Sequence, residues 1–416
     1  MDIIIGGGIT GLSYALFSNS SDYLIIEKDK SVGGYCKTTK RNGFVWDYSG
    51  HFFHFQDPQI KEIIMSGMTD ETVNVVKHTR IKYGDKLIDY PFQKNIHQLD
   101  KEELIDCIYD LFTIPNRSYA NFRDMLYCKF GKSIAEKFLI PYNSKLYACD
   151  LNQLDKDAMG RFFPYAEKED IIRNFKASNN ASYNDSFVYP RNGAFEYVKS
   201  IHRQLDHNKI RLQTGIKQIS LGEHEVLLDS GEVMHYDRLI STIPFPTLLD
   251  LASVEYDKNI YTWNQVLVFN LGFDTKGANM DDHWLYFPDE KYSFYRVGFY
   301  DNILNHDKMS LYVELGFDKN AKINPEKWLD KVMSDLRIAG IVSQKQSLVD
   351  YESIIMNPAY VHINTRSVEE VEEKKAFLAD NDVYSIGRYG SWCYCSIEDN
   401  IKEARSLADR LKSIKA

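Results

Sequence analysis

The chain opens Asp2-Ile3-Ile4-Ile5, then Gly6-Gly7-Gly8-Ile9-Thr10-Gly11, Leu12 to Ser18, Tyr23-Leu24-Ile25-Ile26 and Glu27. No other stretch of the chain restricts the fold so tightly. The β-branched run fits a buried parallel strand. The G-x-G-x-x-G that follows turns sharply at Gly6, lets backbone approach an anion at Gly8, and permits close helix-on-strand packing at Gly11. The helix then begins with its amides facing that anion. Glu27 ends a second strand, 21 residues after Gly6, where a carboxylate can accept hydrogen bonds from ribose hydroxyls. The unit predicts a parallel sheet that binds a dinucleotide through Gly6, Gly8, Gly11 and Glu27. Both FAD and NAD fit it.

Charge narrows the partners. Lys plus Arg number 50 and Asp plus Glu 59, a net charge of −9. A general nucleic-acid binder needs a basic footprint and is excluded. A small anionic ligand held by a few arginines is not. No apolar run reaches the roughly 18 residues of a membrane span, and a strand starting at Asp2 leaves no room for a signal peptide. The expectation is a cytoplasmic protein with reduced thiols at Cys36, Cys107, Cys128, Cys149, Cys393 and Cys395. Only Cys393 and Cys395 lie close together in the sequence, and neither a metal nor a redox role is expected for them.

The 416 residues suggest two or three lobes at roughly 150 residues each. The fold class expected is α/β: a Rossmann-like FAD-binding domain with a helical insertion and an antiparallel β-sheet substrate domain. The cofactor domain is discontinuous, built from 1–80, 190–255 and 375–416. Apolar spacing such as Leu104, Ile105, Ile108 predicts helices over the insertion, 95–185. Alternating runs such as Val266 to Leu271 and Ser293 to Arg296 predict the antiparallel sheet, within 256–374. A helix is expected over 325–343 and another from Ile397 to Ser413.

Several segments carry a resemblance. Gly33-Gly34, six residues past Glu27, resembles the second motif of the FAD-binding amine-oxidase-like flavoproteins, although Tyr35 stands where they have arginine. Gly50-His51-Phe52-Phe53-His54 resembles the histidine loop of UDP-galactopyranose mutases. Ile140-Pro141-Tyr142-Asn143-Ser144-Lys145-Leu146-Tyr147 resembles a run that ends in tryptophan in that family, and Gly387-Arg388-Tyr389-Gly390-Ser391-Trp392-Cys393-Tyr394 resembles its C-terminal block. The resemblance implies FAD, active in the reduced form, with Gly33, Gly34, His51 and Gly387 as further cofactor contacts. It implies that His54 faces the flavin, that Arg161 reaches the active site, and that Arg296, Arg388 and Tyr394 serve the reacting diphosphate. Tyr142, Tyr147 and Asn270 fall at substrate positions. A diphosphate-binding tyrosine expected in a strand before residue 320 has no counterpart in Val313 to Phe317, and Tyr183 is a candidate nucleotide-side aromatic.

The activity so implied is that of a flavin-dependent sugar-nucleotide mutase. It interconverts pyranose and furanose forms of a nucleoside-diphosphate sugar through a reduced-flavin N5–sugar adduct, in polysaccharide biosynthesis, with an external reductant such as NAD(P)H. Arg296 and Arg388 are expected to matter to substrate rather than to fold. The alternative is an FAD-dependent amine oxidase or desaturase, which needs an apolar channel instead of an arginine cluster. A non-enzymatic nucleotide-binding regulator is the third reading.

Overall fold

A computed structural model describes residues 1–114, 117–180 and 185–415; Tyr183 lies outside them. The strand Asp2–Ile5 is buried along its whole length. It is the centre of a five-stranded parallel sheet ordered Val383–Ser385, Arg238–Ser241, Asp2–Ile5, Tyr23–Ile26, Ile210–Arg211. The first helix, Ile9–Ser18, and the last, Ile397–Lys415, pack against each other. Residues far apart in sequence thus close one cofactor-side layer, as expected for an α/β fold.

The second large sheet is antiparallel but for one pair. Its order is Leu348–Met356, Thr262–Phe273, Ser310–Asp318, Arg296–Phe299, Trp284–Tyr286, Thr79–Tyr83, Lys86–Asp89. Trp284–Tyr286 runs parallel to Thr79–Tyr83, so this sheet draws on residues before 95 as well as on 256–374. The strand expected over Ser293 to Arg296 begins only at Arg296. The Ser293 amide instead donates to the buried carboxylate of Asp335, which diverts the chain before the strand starts. The helix expected over 325–343 ends at Ile338, followed by a turn through Gly340 with φ +76°.

Strand periodicity decides what each face does. Leu267, Phe269, Leu271, Leu311, Val313, Leu315 and Val297 form a core with Val332 and Leu336 of the helix Pro325–Ile338. Their neighbours in sequence point the other way. Across that opposite face, Tyr286 is level with Arg296 and Arg296 with Glu314. One step along the strands, Asn270 is level with both Tyr312 and Glu352. Register therefore lays two polar rows on a sheet whose central strands are mostly apolar on the other side.

The insertion carries the helices Lys101–Phe112, Phe122–Ile134 and Ile140–Tyr147. Glu102 and Glu103 lie in the first turn of the first, where they complement the helix dipole. Pro141 occupies the opening of the third, where a missing N–H costs nothing. Among the described residues no helix is long and apolar enough to cross a membrane.

Candidate active site

The glycine loop is shaped for an anion. Gly6 has φ +103°, and a Cβ there would lie 2.3 Å from Thr242 Oγ1. A Cβ on Gly11 would lie 2.1 Å from the Gly6 carbonyl oxygen, so the first helix crosses its strand at a separation only glycine allows. Gly8 differs: a Cβ there meets nothing nearer than Gly34 Cα, at 4.0 Å. Two glycines therefore face each other across an open slot at the start of a helix that has no side-chain cap. The Gly33 amide donates to the Gly7 carbonyl (2.8 Å) and ties the second glycine turn to the first. Glu27 is buried and accepts from the amides of Gly7 (2.7 Å) and Asp29 (2.8 Å). Each of its oxygens has a second lone pair for a ribose hydroxyl. Gly387, with φ +87°, sits against Thr10 on the first helix. Asn400 Oδ1 joins them, accepting from Thr10 Oγ1 (2.9 Å) and from the Arg388 amide (2.8 Å).

From this slot the chain leads to an aromatic chamber. The Arg388 guanidinium lies 4.7 Å from the ring centre of Tyr394 and 5.2 Å from that of Tyr360. Those two rings stack at 5.7 Å. Nη1 donates to the Cys395 carbonyl (3.2 Å), and the buried Nε has no protein acceptor. Among the described residues no carboxylate pairs with Arg388. Tyr286 contacts Tyr90 at 4.9 Å and Tyr142 at 5.0 Å. Burial holds the phenols of Tyr90 and Tyr142 well above the ordinary tyrosine value, so both stay neutral and can donate. On the sheet, Arg296 makes a two-pronged bond to Glu314, Nε to Oε2 at 2.6 Å and Nη2 to Oε1 at 2.7 Å. Burial pushes His51 down to about 4, with Arg388 adding to the effect. Its Nδ1–H donates to the Ser49 carbonyl (3.1 Å), leaving Nε2 as an acceptor.

Residues 9–410 match the model of the flavin containing amine oxidoreductase family. The chain belongs to this family. Its cofactor is FAD, and the glycine slot and Glu27 are shaped to hold it. A crystal structure of reduced UDP-galactopyranose mutase superposes with a TM-score of 0.91 at 23% identity, covering 99% of this chain and 94% of that one. At that identity the likeness is one of fold. Among curated proteins, coproporphyrinogen III oxidase of Bacillus subtilis (strain 168) is 21% identical over 319 residues, 67% of this chain and 68% of that protein. Protoporphyrinogen oxidase 1 of Arabidopsis thaliana chloroplasts is 25% identical over 191 residues, 38% of this chain. The aligned part spans only a third of the Arabidopsis protein.

Within this flavoprotein the expected site residues divide into groups. Arg388 and Tyr394 are in direct contact, Tyr142 reaches Arg296 through Tyr286, and Arg388 and Arg296 both act to lower the His51 pKa. Tyr147 is buried and packs edge-on against Tyr360 at 6.0 Å. His54 stands further out, with Nδ1–H donating to the Ser186 carbonyl (2.7 Å) and its ring against Phe187. Arg161 forks onto Asp399 at 2.6 and 2.7 Å, with a side chain 44% exposed. Asn270 Nδ2 bridges the Asp47 carbonyl (2.9 Å) and Glu352 (3.0 Å), bracing the sheet against the histidine loop.

Sequence reading passes over Glu314, Tyr360, Tyr90 and Tyr286. It also passes over Tyr312, one residue before the segment searched for a tyrosine; its ring lies 5.6 Å from the Arg296 guanidinium. The period-2 alternation that pairs Tyr312 and Glu314 with Arg296 on one face is the signal that could have found them.

Proposed function

We propose that this flavoprotein is a sugar-nucleotide mutase that interconverts pyranose and furanose forms of a nucleoside-diphosphate sugar. The observation that carries this reading is Arg388, a half-buried cation with a buried Nε, which pairs with no carboxylate among the described residues and is framed by two tyrosine rings. A buried charge left uncompensated is costly, and an anionic ligand would remove that cost. Phosphate oxygens match a guanidinium fork, and tyrosines suit sugar and base faces. FAD, when bound and reduced, would supply the nucleophile towards the anomeric carbon. The chain's own part is to hold the ligand and stabilise the charge of the departing diphosphate. Arg388 takes that charge, and Tyr394 and Tyr360 wall it. Arg296, its charge balanced by Glu314, offers its three remaining N–H donors. Tyr142 and Tyr90 stay protonated as neutral donors, and neutral His51 offers an acceptor. Arg161 reaches a ligand only by releasing Asp399. In this reading the product feeds polysaccharide biosynthesis in the cytoplasm, and an external reductant such as NAD(P)H keeps FAD reduced.

The test is to incubate dithionite-reduced and oxidised protein, without oxygen, with a panel of sugar nucleotides and to separate the ring isomers. Isomerisation by the reduced form alone is expected. Equal turnover by both forms removes the mechanism. The porphyrinogen oxidase relatives favour a second reading, oxidation of a carboxylate-bearing tetrapyrrole precursor anchored at Arg388. Hydrogen peroxide released in proportion to such a substrate would select it.

A further inference from the structure

Cys393 and Cys395 flank Tyr394, and the activity proposed above uses neither thiol. All six cysteines are free. The two thiols are separated by a single residue, and both are half-buried. Their backbone holds Arg388 at two points. Arg388 Nη1 donates to the Cys395 carbonyl at 3.2 Å, and the Cys393 amide donates to the Arg388 carbonyl at 3.0 Å. Asn400, which fastens Arg388 to the first helix, also directs Nδ2 at Cys395 Sγ, 3.2 Å away. The preceding Trp392 has φ +49°, unusual for a bulky residue, so the turn is held by its surroundings.

We propose that Cys393 and Cys395 form a reversible disulfide that moves Tyr394 and Arg388, switching the anion site between a binding and a non-binding form. An S–S bond across one intervening residue closes a small ring that contains the backbone of Tyr394. The two peptide groups in that ring must turn to close it. The Cys395 carbonyl then leaves Arg388, and the Tyr394 ring leaves Tyr360.

The chemistry balances with a small disulfide, such as oxidised glutathione, as oxidant. The Cys393 thiolate attacks one of its sulfurs and expels a thiolate. The Cys395 thiol then loses its proton to solvent and attacks the Cys393 sulfur, expelling the second glutathione thiolate. Two protein thiols are oxidised and one disulfide is reduced. The neighbouring Cys395 thiol lowers the Cys393 pKa, burial and Glu403 oppose this, and Arg388 and Lys375 add to it. Burial pushes Cys36, Cys107 and Cys149 up to about 12, so they compete poorly.

The experiment equilibrates FAD-loaded protein in a series of reduced-to-oxidised glutathione ratios. Peptide mapping finds the disulfide, the visible spectrum of the bound flavin reports the site, and UDP is the binding probe. Expected are a Cys393–Cys395 disulfide reversed by dithiothreitol, a shifted flavin spectrum, and UDP affinity about tenfold or more weaker on oxidation. Cys393→Ser and Cys395→Ala should show no dependence on the glutathione ratio. No such disulfide at any ratio, or a disulfide that leaves the spectrum unchanged, overturns the switch. The UDP arm rests on the proposed function and the spectral arm does not. If UDP binds neither redox form, the mutase reading fails and the flavin spectrum alone decides the switch.

Discussion

Arg296 and Glu314 are cross-strand neighbours with side chains only 18% and 1% exposed. Removing the arginine strands a carboxylate in the sheet interior. Arg296→Ala should therefore cost about 3–5 kcal/mol and lower the melting temperature, contrary to the expectation that it matters only to substrate. Melting curves of Arg296→Ala beside Arg296→Ala/Glu314→Gln check this; equal melting of wild type and the single variant would refute it. Arg388 has no carboxylate to strand. Arg388→Lys should melt near wild type yet bind UDP about 10- to 100-fold more weakly, because it loses the planar fork. Titration calorimetry reads this, and unchanged affinity would place the anion site elsewhere.

The pH response also belongs to single residues. Burial pushes His51 and His283 down to about 4, while in the unfolded chain both protonate below about 6.5. The unfolded chain then holds more protons, so their contribution to stability rises with pH from about 4 to 6.5. Burial pushes Asp47 and Asp301 up to about 6. There the folded chain holds the extra protons, and the contribution falls as pH rises from about 3.9 to 6. His51→Gln removes one rising term. Relative to wild type it should lose up to about 1.4 kcal/mol per pH unit on going from about 4 to 6. Urea midpoints across that window measure it, and a pH-independent difference would mean His51 titrates normally in the fold.

At the level of elements, the glycine loop yields a contrast. A side chain on Gly8 enters open space, whereas one on Gly11 strikes the Gly6 carbonyl at 2.1 Å. Gly8→Val should give soluble, folded protein with little flavin absorbance, and Gly11→Val should fail to fold. Full FAD occupancy in Gly8→Val would show that the slot does not carry the pyrophosphate. This element was legible because its determinants are contiguous in sequence: strand, glycines, helix, strand and acid. The Arg388–Tyr394 block was legible for the same reason. The rest of the chamber was not. Glu314 meets Arg296 only through the pairing of Arg296–Phe299 with Ser310–Asp318, and Tyr360 meets Tyr394 only after two strands and two helices have folded back. The Thr79–Asp89 hairpin reads as a local pair in sequence; its place beside Trp284–Tyr286 is set by tertiary packing.

For the whole molecule, the parallel sheet takes strands from residues 2–5, 23–26, 210–211, 238–241 and 383–385. The first and last helices cover it together. A chain ending before Val383 lacks one sheet edge and the apolar face of Ile401, Ala404, Leu407, Ala408 and Leu411. Such a truncation should be insoluble rather than a smaller FAD-binding protein. A soluble truncated chain that retains FAD would contradict this.

The same closure of early residues by late ones bears on how the protein is made. During synthesis the glycine loop emerges well before Asn400, which fastens Thr10 to Arg388. The nascent chain carries an open strand edge at Arg238–Ser241 until Val383–Ser385 follows, and unpaired edges are where aggregation begins. Flavin can therefore be held firmly only once the segment from Val383 to Asn400 has folded back, and the interval before that is when a holdase or a slow elongation rate would protect the chain most.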